Sequence, residues 1–336
     1  MAYKINGTEV IDDNGELVNF SAYNLNNDDG QIEIQSNSPM VGTVSGYTSG
    51  GYDSPPGGFT NVIDKFPFSS DTNATDVGDL TQTRNSLSGQ SSTTHGYSSG
   101  GFSPPFSNRI DKFSFATDTN ASDVGKLSDP RSGITSGQSS TVSGYATGGD
   151  EPTIVNTIDK FPFATDTNAT DIGDLTQTAN FASGQSSTTH GYTSGGNTPP
   201  DSNVIDKFPF ATDTNASDVG DLTQARSTLT GQSSTTHGYA SGGAIPAPNT
   251  PPIVNTIEKF PFATDTNATD IADLTQARDG PAGQSSTASG YTSGGRTATP
   301  ATHTNVIDKF PFATDTNATD VGDLTVARRN VAGQQD

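Results

Sequence analysis

The chain has no cysteine and no tryptophan, and only 29% of its 336 residues are hydrophobic. Basic residues are scarce as well: 16 lysines and arginines stand against 37 aspartates and glutamates. Each shortage excludes something. Without cysteine there is no disulfide framework, no thiolate metal site and no cysteine nucleophile. A formal net charge of −21 leaves little basic surface to neutralise phosphates, which argues against nucleic acid as a partner and disfavours anionic membranes. No apolar run approaches the roughly 18 residues of a membrane-spanning helix. The N-terminal MAYKINGTEVIDDNGELVNF lacks the apolar centre of a secretory signal. A soluble protein without membrane insertion is expected. The charge helps keep many copies apart in solution.

So thin an apolar content would suit disorder. Order is expected because the apolar residues recur in phase. The stretch Asn305 to Gly322, NVIDKFPFATDTNATDVG, has six versions along the chain. Their I-[D/E]-K-F cores begin at Ile63, Ile110, Ile158, Ile205, Ile257 and Ile307, in steps of 47, 48, 47, 52 and 50 residues. Each is preceded by G-Y-x-[S/T]-G-G and followed by a Leu-Thr-x-x-Arg-like stretch and then Gly-Gln. Strand-like repeats of this length build propeller blades or a stacked β array.

The unit from Gly184 to Arg226 reads as four strands. Gly184 to Thr189 is the first. His190-Gly191 is a tight turn, and Tyr192 to Gly196 is the second strand. A Pro-rich loop leads to the third, Asn203 to Phe210. Asp213-Thr214-Asn215 turns the chain through Asx side chains that bond their own backbone. Asp218 to Leu222 is the fourth. Four strands per unit make one propeller blade. Six units predict an all-β fold with a six-bladed β-propeller over residues 38–336. The chain stops at Gly333-Gln334-Gln335-Asp336, where a seventh first strand would begin. Pro39 to Ser45 is expected to supply the missing strand and remove the open sheet edge.

The unit resembles the kelch repeat. Tyr192, Gly195, Gly196, Asp213, Asn215 and Arg226 sit where that motif has its tyrosine, glycine pair, D-x-x-T-N-like turn and terminal arginine. The resemblance spans nearly all of 39–336. It departs at the fourth strand, where kelch units usually carry tryptophan and this chain has Val77, Val124, Ile172, Val219, Ile271 and Val321. It therefore implies blade topology rather than membership in an enzymatic kelch family.

Residues 1–37 do not match the repeat. Tyr3 to Ile5, Gly7 to Ile11, Leu17 to Phe20 and Gln31 to Gln35 read as short strands, with Asn24 to Gly30 a polar linker. So small an arm is marginal alone. Its sequence Y-K-I-N-G-T-x-V-I-D-x-x-G-x-L-x-N, Tyr3 to Asn19, resembles N-terminal segments of bacteriophage tail-fibre and related virion proteins. The resemblance implies attachment to a particle, or the start of a trimeric stem. It implies a virion location and other virion proteins as partners, with Tyr3, Ile5, Val10, Ile11, Leu17 and Phe20 as the attachment residues. An ordinary β-hairpin extension is the plainer reading.

In an up-and-down blade, the 2–3 loops and the blade-to-blade connections share one rim. The 2–3 loops vary in length and content, at 52–60, 102–108, 150–156, 197–203, 244–255 and 296–305. Binding is usually placed on variable loops carried by a repeated scaffold. The candidate contact residues of the first three loops are Tyr52, Phe59, Phe102, Phe106, Asp150 and Glu151. Those of the last three are Asn197, Asp201, Ile245, Asn249, Arg296 and His303. The expected ligand is a host surface glycan or protein, or a neighbouring virion protein.

Repeated polar residues read as structure. His95, His190 and His237 fall at one turn position, too far apart from blade to blade to share an ion. Asp71, Asn73 and Asp76 and their counterparts have oxygen spacing that could hold Ca²⁺, but an Asx turn that starts the fourth strand is the weaker demand and the preferred reading. Arg84, Arg131, Arg226, Arg278 and Arg328 recur once per unit, with Ala179 breaking the series, and read as inter-blade ties. An active centre needs something that occurs once. No G-x-S-x-G, H-E-x-x-H or singular Ser/His/Asp set is present, so neither catalysis nor a cofactor is expected. The expected function is a phage structural and adhesive protein, a tail fibre or similar appendage. The alternatives are a cellular or secreted kelch-type interaction module and, third, a glycan-active enzyme.

Overall fold

A computed structural model describes residues 41–336 apart from 54–56, 135–136, 151, 247–251 and 299–300. Of the first 40 residues it describes the backbone of 3–5, 8–11, 23–26 and 33–36. The chain divides into two compact units, Met1–Ser38 and Pro39–Asp336. In the first, Tyr3–Ile5 pairs antiparallel with Thr8–Ile11, and Tyr23–Asn26 with Glu33–Ser36. The supposed linker 24–30 thus begins as strand. Leu17 and Phe20 lie outside the described residues.

Among the described residues the second unit contains six four-stranded antiparallel sheets. Five run in simple chain order. Ser183–Ser186, His190–Ser194, Val204–Pro209 and Ser217–Asp221 form one of them. Repeated sheets of this kind fit a β-propeller, and each is called a blade below, numbered in chain order from the one holding Ser45–Ser49. Among the described residues no helix is long and apolar enough to cross a membrane.

Two expectations need correction. The histidines are not in the turn. His190 opens the second strand, because Ser187 makes the turn instead: its Oγ accepts from the His190 and Thr189 amides, and its own amide donates to His190 O. Nor does Pro39 to Ser45 supply the missing strand of blade 1. The C-terminal Ala332–Gln335 does, pairing with Ser45–Ser49. Ser45 belongs to the second strand, and Gly42 lies beside blade 6, its amide bonded to Ser285 O at 2.7 Å.

Hydrophobic packing lies between blades, in six clusters. The second-strand tyrosine of each blade stacks on the second phenylalanine of the next blade's K-F-x-F. Tyr47 meets Phe115 at 4.9 Å, and Tyr97–Phe163, Tyr145–Phe210, Tyr192–Phe262, Tyr239–Phe312 and Tyr291–Phe68 follow at 4.8 Å. The last of these joins blade 6 to blade 1. Such pairs contribute about 0.5–1.5 kcal/mol each beyond area burial. The glycine before each tyrosine makes room: a Cβ on Gly46 would strike the ring of Phe66, its cross-strand partner. Val77 and its counterparts, at the position where kelch units carry tryptophan, pack half-buried against these clusters.

Polar ties follow the same circuit. Gln90, Gln138, Gln185, Gln232, Gln284 and Gln334 each donate from Nε2 to the next blade's tyrosine carbonyl at 2.9–3.0 Å. Six Lys–Asp pairs link successive blades at 2.6–3.2 Å, ending with Lys309–Asp71. A third circuit is pure backbone. Gly133, Phe181, Thr228, Gly280, Asn330 and Ser86 each donate an amide to the carbonyl of the one before, at 2.7–3.0 Å, and the last bond returns to the start. All six have φ between 53° and 62°. That conformation costs a non-glycine residue roughly 1–2 kcal/mol. Ser86, Phe181, Thr228 and Asn330 adopt it because the circuit needs it of every blade.

Candidate binding surface

Two faces result from this topology. On one lie the turns between first and second strands and between third and fourth. The chain enters the second unit here: Thr43 donates to Asp336 O, and Val44 O accepts from Phe68 N at 2.9 Å. On the other face lie the 2–3 loops and the blade-to-blade connections.

The loops on this second face share one plan. The residue after each Gly-Gly pairs with a connection residue and with a later residue of its own loop. The resulting triplets are Arg329–Tyr52–Phe59, Asn85–Phe102–Phe106, Ser132–Asp150–Ile154, Asn180–Asn197–Asp201, Ser227–Ala244–Ile253 and Asp279–Arg296–His303. The glycine pair permits the bend, with φ of 63° and 114° at Gly50 and Gly51.

Nine of the candidate residues occupy these triplets: Tyr52, Phe59, Phe102, Phe106, Asp150, Asn197, Asp201, Arg296 and His303. Ile245 lies one residue past its triplet, beside Ala244. Glu151 and Asn249 lie outside the described residues. Sequence reasoning missed the connection residues Arg329, Asn85, Ser132, Asn180, Ser227 and Asp279. Their signal was available, since each directly follows the recurrent arginine or Ala179.

The triplets are not alike. Blades 6, 1 and 2 carry a chain of rings: His303–Tyr52 at 5.8 Å, Tyr52–Phe59 at 5.7 Å, Phe59–Phe102 at 5.6 Å and Phe102–Phe106 at 5.2 Å. All five are half-buried. Blades 3, 4 and 5 carry only small, aliphatic or polar side chains at these places. At one end of the ring chain, Arg296 forks onto Asp279 through Nε at 3.2 Å and Nη2 at 2.5 Å. Arg329 lies close by, and its Nε is buried without a hydrogen-bond partner. Burial, with the charges of Arg329 and Arg296, lowers the His303 pKa and favours its neutral form. At the other end, Phe106 lines a cleft of about 210 Å³ with Gln82, Asn108, Lys126 and the Arg109–Asp123 ion pair.

The repeated polar residues serve the ring. Asp71 pairs with Lys309, Asn73 Oδ1 accepts from Asp323 N, and Asp76 Oδ1 accepts from Gly78 N, so the three oxygens go to three separate partners. His95, His190 and His237 each share a 2.8 Å hydrogen bond with the preceding threonine, on separate blades. The buried arginines tie each blade to the carboxylate of the next: Arg84–Asp111, Arg131–Asp159, Arg226–Glu258, Arg278–Asp308 and Arg328–Asp64, at 2.5–3.2 Å. At the sixth junction Ala179 stands in the arginine's place. Asp206 there keeps only the amide and hydroxyl of Thr176, and burial raises its pKa.

Comparison of the sequence with protein-family profiles and with curated proteins finds no match.

Proposed function

We propose that this chain is a structural and adhesive protein of a bacteriophage particle, a tail fibre or similar appendage. In this reading a closed, six-bladed, kelch-like propeller is held on the particle by the N-terminal unit. It presents its variable loops to a host surface. The observation that carries the reading is polarity. Thr43 and Val44 lie among the near-identical turns, and the described residues of the variable loops lie on the opposite face. A display module needs that separation of anchor and contact surface. The resemblance of Tyr3 to Asn19 to phage attachment segments supplies the particle. Binding rather than catalysis is supported by the buried carboxylates, which recur once per blade and are held by structural partners.

Light scattering on the full chain and on a chain lacking residues 1–37 tests the arm. A trimeric or larger full-length protein and a folded monomeric truncation are expected. Two stable monomers would refute self-assembly through the arm and favour a free-standing interaction module. Pull-down of whole bacterial cells tests the adhesive half. Co-purification with a particle without cell binding would leave an architectural subunit.

A further inference from the structure

We infer that the ring chain across blades 6, 1 and 2 is a binding strip for an uncharged polysaccharide, laid across the blades from His303 to Phe106. The inference rests on the adhesive reading and names its site and ligand class. Three observations support it.

The first is asymmetry on a symmetric scaffold. The stacking tyrosines, the buried carboxylates and the Lys–Asp pairs recur at all six junctions. A structural need would recur likewise. The aromatic rings of the triplets do not: they fill one continuous arc and are absent from the other half of the face. Half-buried aromatics grouped on an otherwise polar surface mark a contact site.

The second is the chemistry at the ends of the strip. Sugar hydroxyls donate and accept at once, so they need both kinds of partner side by side. Arg296, held in place by the buried Asp279, offers donors at one end, and the exposed Arg109–Asp123 pair offers a donor and an acceptor at the other. The cleft beside Phe106 adds the Gln82 and Asn108 amides. At about 210 Å³ it is smaller than the ~300–1,000 Å³ of drug-sized pockets and suits a single sugar ring. The half-buried rings between these ends, set edge to face at 64–82°, offer apolar surface for the apolar sides of the intervening sugars.

The third is charge. Arg296 and Arg109 are each paired to a carboxylate, which limits the positive charge among the described residues of the strip to Arg329 at one end and Lys126 at the other. The surrounding chain carries a net −21 and repels polyanions. A neutral polymer is the glycan that meets no such repulsion.

Affinity electrophoresis of the full-length protein through gels containing dextran, laminarin, galactomannan, mannan or alginate tests the inference. Retardation by at least one of the four neutral polymers is expected, and none by alginate. Tyr52→Leu and Phe102→Leu keep apolar bulk but remove the flat rings. Each should weaken the retardation about ten-fold or more. Ile154→Ala, on the opposite arc, should leave it unchanged. Unaltered circular dichroism and melting temperature establish that the variants are folded. If both leucine variants melt early, Phe106→Ser at the outer end of the strip replaces them.

The inference is overturned if no neutral polymer retards the protein, if alginate alone does, or if folded leucine variants bind as the parent does. Whole cells separate this failure from that of the adhesive reading. Cell binding that survives Tyr52→Leu and Phe102→Leu refutes the strip alone. Cell binding abolished by protease treatment of the cells makes the partner a protein and refutes the glycan. A parent protein that binds no cells refutes the adhesive reading itself.

Discussion

The Gln334 side chain donates from Nε2 to the Tyr97 carbonyl at 3.0 Å, joining residues 237 positions apart. The same nitrogen donates to the Ser49 and Ser98 hydroxyls, each at 3.0 Å. Gln334 thus sits between the second strands of blades 1 and 2, and the last strand of the chain holds the first two blades together.

Deleting residues 332–336 should therefore do far more harm than its length suggests. It removes the inner strand of blade 1 and one member of the glutamine circuit. Ser45–Ser49 thereby loses its partner, and that sheet edge is left open. We expect a much lower melting temperature, a broadened transition and aggregation. Deleting residues 1–37 removes no strand of the six four-stranded sheets, so the second unit is expected to keep its fold. Calorimetry of the two truncations decides the matter.

Ala179 and Asp206 predict a stabilising substitution. The other five junctions bury an arginine against the equivalent carboxylate, and breaking such a pair costs about 3–5 kcal/mol. Arg278→Ala should show a loss of that size. Ala179→Arg should gain stability, because Asp206 is already buried without a cation. The pH dependence gives the sign. Burial lifts the Asp206 pKa above the ordinary 3.8, so the folded state favours the protonated form. Its ionisation then weakens the fold progressively as pH rises from 3.8 through the raised value. The advantage of Ala179→Arg over the parent should be smallest in acid, grow across that interval and level off above it. Melting curves from pH 3 to 8 measure it.

The six stacking tyrosines predict a cooperative alkaline transition. Burial pushes Tyr97, Tyr145 and Tyr192 up to about 12, and raises Tyr47, Tyr239 and Tyr291 as well. A raised folded pKa means stability that is complete below the unfolded value of 10.0 and is lost as pH climbs from there towards 12. Absorbance titration should show these phenols ionising together with loss of the β-sheet circular dichroism signal. Independent titration near pH 10 in a folded protein would contradict the inter-blade stacking.

Much of the fold was legible because the repeat exposes its own logic. The phase of Tyr, Ile, Phe and Leu marked the strands, and the alternation of fixed turns with variable loops marked the two faces. The histidine turn was misread because Ser187 competes for the backbone of Thr189 and His190, which a turn-forming His-Gly pair obscures. The closing strand was assigned to the wrong terminus because Gly333-Gln334-Gln335 reads as the start of something unfinished. Only its pairing with Ser45–Ser49 makes it a complete strand.

The sequence by itself determined the number of units, the place of the repeated strands within about three residues, and the loops free to vary. Those follow from local periodicity and turn chemistry, which need no distant partner. Tertiary structure decided the rest. It decided that Ala332–Gln335 completes blade 1, that Lys309 meets Asp71, and that His303 lies against Tyr52. These contacts join residues up to 289 positions apart, Gln335 and Gly46. They exist because six twisted sheets, each apolar on both sides, bury those sides by packing round until the last meets the first.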